Sequence, residues 1–133
     1  MKKVLMVVFL TTLSGCAVFD AVTMAGFDAN EYQLVTEVKT MAELAKQDCD
    51  DPSLMKITST RLLFVTTEFK NYSTNIPNNG DSTRMSELLL KEVKGLSERY
   101  KNEEVSVYYC TSKMSIIERT AKTIQIVIGV KPR

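Results

Sequence analysis

Apolar residues recur at steps of three and four along most of this chain, the spacing of one face of an α-helix. Asp28, with Glu31 three residues on, opens the first such run. The short acidic side chain suits an N-cap, and the glutamate is placed to reach back to the cap's own amide. Leu34, Val38, Met41 and Ala45 follow as one stripe that ends near Cys49. Asp51-Pro52 restarts the chain, an acid in cap position before a proline that the first helical turn tolerates. Leu62, Val65, Phe69 and Tyr72 make the second stripe. Within it Leu62, Leu63, Phe64 and Val65 are apolar all round the helix. One narrow seam cannot bury so much, so this run is expected at the centre of a bundle or under a bound partner. The string Ile76-Pro77-Asn78-Asn79-Gly80-Asp81-Ser82 is the strongest turn of the sequence. Met85, Leu89, Val93, Leu96 and Tyr100 then form a third stripe.

The fourth segment is the most regular. Asn102 is expected to cap it, with Glu103 and Glu104 in the first turn, where the helix dipole favours carboxylates. Val107, Cys110, Met114, Ile117, Ala121, Ile124 and Ile128 step by three and four throughout. Gly129 ends the pattern, Lys131 and Arg133 stand near the carbonyl end, and Pro132 prevents continuation. Residues 105–109 and 123–130 are also rich in β-branched and aromatic types, so a pair of strands competes for them. Helix is preferred because the seam runs unbroken through both pieces, and propensity is the weaker signal. The pattern therefore predicts an all-α fold, an antiparallel four-helix bundle.

The first residues follow a different rule. Lys2 and Lys3 precede an apolar run over 4–12, and Leu13-Ser14-Gly15-Cys16 follow it. This segment resembles the signal peptide of bacterial lipoproteins, with every position of the lipobox filled. The resemblance implies cleavage before Cys16, a diacylglyceryl group on its thiol and an acyl chain such as palmitate on the new amino terminus. An apolar run of this length is too short to cross a bilayer, which needs about twenty residues in a helix. Attachment to the membrane would rest on the acyl chains, and two or more of them anchor stably. In the same family an aspartate after the lipidated cysteine favours the inner membrane; here the residue is Ala17, which implies the outer membrane, facing the periplasm. The expected organisation is a signal peptide over 1–15, a lipidated N-terminus and tether over 16–29, and a helical periplasmic domain over 30–133.

Two further cysteines test this map. In an oxidising periplasm two thiols of one domain are expected to pair. Four antiparallel helices with short connections bring the end of the first and the start of the fourth to the same end of the bundle. Cys49 and Cys110 occupy those places, so a Cys49–Cys110 disulfide is expected.

Residues that carry chemistry are scarce. The chain contains no histidine, which excludes histidine-based nucleophilic triads, a histidine general base and most zinc sites. No glycine-rich phosphate loop is present. Asp48, Asp50 and Asp51 crowd round Cys49, but without the glycine turn and distal glutamate of a calcium loop, and helix capping explains them better. Asn71-Tyr72-Ser73 has the form of a glycosylation sequon, which has no meaning in a bacterial lipoprotein. Tyr100, Tyr108 and Tyr109 are expected to cover the edge of the core round the third connection. Without residues 1–15 the formal charge is close to zero over 118 residues, and no basic face stands out. Nucleic acid is not expected as a partner. Neither a catalytic site, a metal nor a cofactor is expected.

A second resemblance is architectural. Outer-membrane pilotins of type II secretion are small lipoproteins with a four-helix body and a disulfide from the first helix to the last. This chain is similar in size, in its residues 13–16 and in the placement of Cys49 and Cys110. The resemblance implies a periplasmic adaptor that holds a helix of another protein in a groove, and Leu62, Leu63, Phe64 and Val65 are the candidate contact residues. A structural or phage-related lipoprotein, such as a lysis subunit or a superinfection-exclusion factor, is the alternative. Phage lysis subunits are typically proline-rich, and the three prolines of this chain count against that version.

Overall fold

A computed structural model describes residues 24–133. They form four α-helices in chain order: α1 (Ala29–Ala45), α2 (Pro52–Asn75), α3 (Gly80–Asn102) and α4 (Val107–Gly129), with a 3-10 turn (Lys46–Asp48) closing α1. No strand occurs among the described residues, and the segments open to a strand reading, 105–109 and 123–130, are helical from Val107 and up to Gly129. The signal peptide, Cys16 and residues 16–23 of the expected tether lie outside the described residues.

Local chemistry sets most of the helix ends. Asp28 Oδ1 accepts from the Glu31 amide at 2.8 Å, and Asp51 Oδ1 accepts from the amides of Ser53 and Leu54 at 2.9 Å each. These are the two caps that the sequence predicts. The fourth cap differs from expectation. Asn102 is the last residue of α3, and Ser106 caps α4, accepting from the Tyr109 amide at 3.2 Å. Glu103 folds back onto Arg99, and Val105 tucks against the core, so the chain needs four more residues before it can turn. Between α2 and α3, Asn78 takes a positive φ of 60°, a conformation that asparagine adopts more readily than most side chains.

The helices stand antiparallel round a square. Helix α2 lies against α1 and α3, and α4 closes the square against α3 and α1. The core is built from Val35, Val38, Ala42 and Ala45 of α1, Leu62, Val65 and Phe69 of α2, Leu89, Val93 and Leu96 of α3, and Met114, Ile117, Ile124 and Ile128 of α4. On α1 the buried line keeps Val38 and Ala45 of the predicted stripe but takes Val35 and Ala42 in place of Leu34 and Met41, which pack at the margin. Several small polar residues share the buried faces, and local bonds satisfy some of them. Ser59 and Thr66 donate to the carbonyls of Lys56 and Leu62, at 3.1 and 2.7 Å.

Cys49 and Cys110 are joined by a disulfide with their Cα atoms 5.7 Å apart, at the end of the bundle where α1 finishes and α4 begins. At the opposite end the two described termini interlock. The Phe27 amide donates to the Pro132 carbonyl at 2.7 Å, and the Ala25 amide to Asn78 at 3.2 Å. The last residues of the expected tether, 24–28, are thus held against the bundle.

Candidate functional site

Helix α2 supplies the surface with the clearest potential for contact. Its buried face takes Met55, Leu62, Val65 and Phe69, yet the helix carries further large apolar residues that this face cannot accommodate. Leu54, Ile57 and Phe64 are 41, 68 and 69% exposed. Spaced at three and seven residues, they lie along one outward line of the helix. Seven residues at 1.5 Å put Ile57 and Phe64 about 10 Å apart along it. Shallow hollows of about 520 and 450 Å³ adjoin Phe64, the first lined by Lys56, Ile57, Thr60 and Arg61, the second running on past Thr67 to Asn75. Lys56 and Arg61 form no ion pair among the described residues, and α2 carries no carboxylate before Glu68. The stripe is therefore apolar with a cationic border.

The candidate quartet of residues 62–65 divides between the two faces. Leu62 and Val65 are buried in the core, Leu63 is half-buried at its margin, and Phe64 points outward. Leu62 and Val65 thus belong to the packing of the bundle, and contact with a partner falls to Phe64 and the exposed edge of Leu63. The surface is a convex stripe on one helix, where a groove between two helices was expected. Leu54 and Ile57 were missed in the sequence although their signal was there. Positions 54, 57, 61 and 64 form a second helical line displaced from the first, and three of the four are large and apolar.

The other residues singled out in the sequence have structural partners. Asp51 is the cap of α2, and the Asp48 carbonyl accepts from the Asp51 amide at 3.0 Å. No three residues among the described Asp, Glu, Cys and His side chains lie close enough together to hold a metal ion. Tyr72 donates to Asp28 Oδ2 at 3.2 Å, and Ser73 is buried. Of the tyrosines round the third connection, Tyr100 is in the core, where burial pushes its phenol above the usual range. Tyr109 is half-buried with the Arg99 guanidinium 4.2 Å over its ring, while Tyr108 is 85% exposed. No described helix is long and apolar enough to cross a membrane.

One cluster had no forerunner in the sequence pattern. Glu31, read as half of a capping box, turns inward instead: its carboxylate accepts from Asn79 Nδ2 at 2.6 Å and from Lys131 Nζ at 2.7 Å. Lys131, read only as a cation near the carbonyl end of α4, is buried and donates as well to Asn79 Oδ1. Asn79 completes the cluster by donating to the Ser73 carbonyl at 3.0 Å. The group ties α1, the α2–α3 turn and the chain end together.

What the surface offers is apolar area with positive charge beside it. No protein-family model, curated protein or solved structure matches the chain.

Proposed function

We propose that this protein is an outer-membrane lipoprotein, anchored through acyl chains on Cys16, whose helical body holds a partner protein non-covalently on the outer face of α2. The observation that carries the reading is the exposure of Leu54, Ile57 and Phe64 along one line of a helix whose opposite face already fills the core. Large apolar side chains arranged in this way gain free energy only by leaving water, at roughly 25 cal/mol per Å² covered. Lys56 and Arg61 beside them favour a partner surface with carboxylates at its rim. The lipobox resemblance supports the anchor, and the four-helix body with its disulfide between α1 and α4 is compatible with the resemblance to pilotin adaptors. Shared architecture alone does not name the partner.

The test starts with a photocrosslinking residue at position 64 in the full chain in cells, with position 91 on α3 as control. A single crosslinked protein at 64 and none at 91 is expected. Phe64→Glu and Ile57→Glu should then each weaken binding of that purified protein by about thirtyfold or more, the scale of a buried anchor. Circular dichroism should not change, because both side chains are in solvent. Unaltered binding in both variants would remove α2 as the contact, and equal membrane association of Cys16→Ser would remove the anchor.

A further inference from the structure

Charges of opposite sign bracket Phe64 on the outward line of α2. Arg61 stands three residues before it and Glu68, the one carboxylate of this helix, four residues after it. Both are exposed, and neither forms an ion pair among the described residues. Seven residues at 1.5 Å separate them by about 10 Å along the helix, too far for a contact within one chain. Phe64 is 69% exposed between them, and the shallow hollows on either side leave room for a second ring.

A convex line of side chains fits a second helix laid against it, ridge into groove. The charges decide what that second helix must carry: a carboxylate opposite Arg61, an apolar residue opposite Phe64 and a cation opposite Glu68. Taken in reverse, α2 carries that same series. A two-fold axis beside Phe64 and perpendicular to the helix lays two copies antiparallel. The two Phe64 rings then meet at the axis, and Arg61 of each copy faces Glu68 of the other. Such a contact is self-complementary, as every two-fold interface must be. An axis running along the helices would instead lay them parallel, with Arg61 against Arg61 and Glu68 against Glu68, and like charges so placed oppose association. Lys56 and Lys70 lie to the side of the outward line, outside this pairing.

We propose that the partner held on α2 is a second copy of this chain, paired antiparallel about Phe64 with reciprocal Arg61–Glu68 contacts, an inference that rests on α2 being the contact face. The apolar residues supply the attraction, and the two charges set the orientation and exclude surfaces that lack the reversed series.

The experiment places two differently tagged copies of the full chain in the same cells, one of them with a photocrosslinking residue at position 64. A product that carries both tags is expected. Arg61→Glu in both copies, or Glu68→Arg in both, sets like charges face to face twice and should lower its yield about tenfold or more. One copy with Arg61→Glu and the other with Glu68→Arg presents opposite charges at both contacts, and this mixture should return the yield to within about twofold of the parent. All three positions are exposed, so the helical signal of each variant should match that of the parent. Undiminished yield in both single variants, or failure of the mixed pair to recover, would overturn the pairing. Crosslinks from position 64 to a different protein or to lipid, with no two-tag product, would overturn the second copy as occupant. A different protein there would leave α2 standing as a protein contact face, whereas no crosslinked product at all would remove both.

Discussion

Lys131 Nζ lies 2.7 Å from Glu31 Oε2, a contact between side chains one hundred residues apart that are 4 and 0% exposed. A charge pair so deeply enclosed stands on mutual compensation, because either member alone would be a bare charge in a low-dielectric interior. Lys131→Met is therefore expected to destabilise the fold by about 3–5 kcal/mol. Adding Glu31→Leu should recover more than half of that loss. Urea unfolding of the two single variants and the double variant measures the coupling. Strictly additive losses would mean that the two residues do not act as a pair.

Leu62 and Phe64, two positions apart on α2, should respond in opposite ways to truncation. Leu62 is sealed in the core, so Leu62→Ala should cost about 2–5 kcal/mol through lost burial and the cavity left behind. Phe64→Ala should stay within about 0.5 kcal/mol, as expected of a surface position. Thermal melts of both variants check the assignment of faces, and similar losses would contradict it.

Tyr100 carries a hydroxyl that is buried and meets no partner. Removing such a group while keeping the ring relieves its desolvation, so Tyr100→Phe is expected to raise stability by about 1 kcal/mol. In an alkaline absorbance titration the last of the five tyrosines to ionise should disappear with this variant. A loss of stability would mean that water reaches the hydroxyl from the hollow lined by Lys56 and Glu104.

Acid should weaken the link between the end of α1 and α4. A hydrogen bond from Lys46, 2.7 Å away, holds the Glu118 carboxyl below its usual range, helped by the fields of Lys46, Lys39 and Lys122 and opposed by burial. A carboxyl with a lower value in the folded chain contributes stability that is complete above the unfolded value, about 4.3. That contribution is lost as pH falls through the folded value. Glu118→Gln should thus cost up to about 1 kcal/mol at neutral pH, and the gap should close below about pH 4. Melting temperatures of both proteins across this range provide the readout, and parallel curves would exclude the effect.

The bundle was legible in the sequence because each helix is specified within its own few turns. Leu89, Val93, Leu96 and Tyr100 repeat at the helical period, and all four are buried. The disulfide followed from two remaining thiols in an expected oxidising compartment together with the helix order. What failed was any inference that stopped at local spacing when the partner was remote. Glu31 sits three residues after a cap, which is the capping-box interval, yet its ligands are 48 and 100 residues away. Asn102 precedes two glutamates as a cap should, but Arg99 and the core claim Glu103 and Val105 first. The contact surface was half legible. An all-round apolar run signals that some side chain must be left outside, while the choice of Phe64 over Leu62 depends on which way the helix is turned by its neighbours.

The bond between Cys49 and Cys110 also decides how the molecule carries a pull. Tension applied between the two chain ends runs along α1 to Cys49, crosses the sulfurs and leaves through α4. The residues between the cysteines, 61 positions apart, form a closed loop off this path. Helix α2, with its outward stripe, lies wholly inside that loop. A body tugged by its N-terminal end can therefore lose α1 without having α2 drawn out into an extended chain, and the covalent loop caps the length to which the molecule can be stretched.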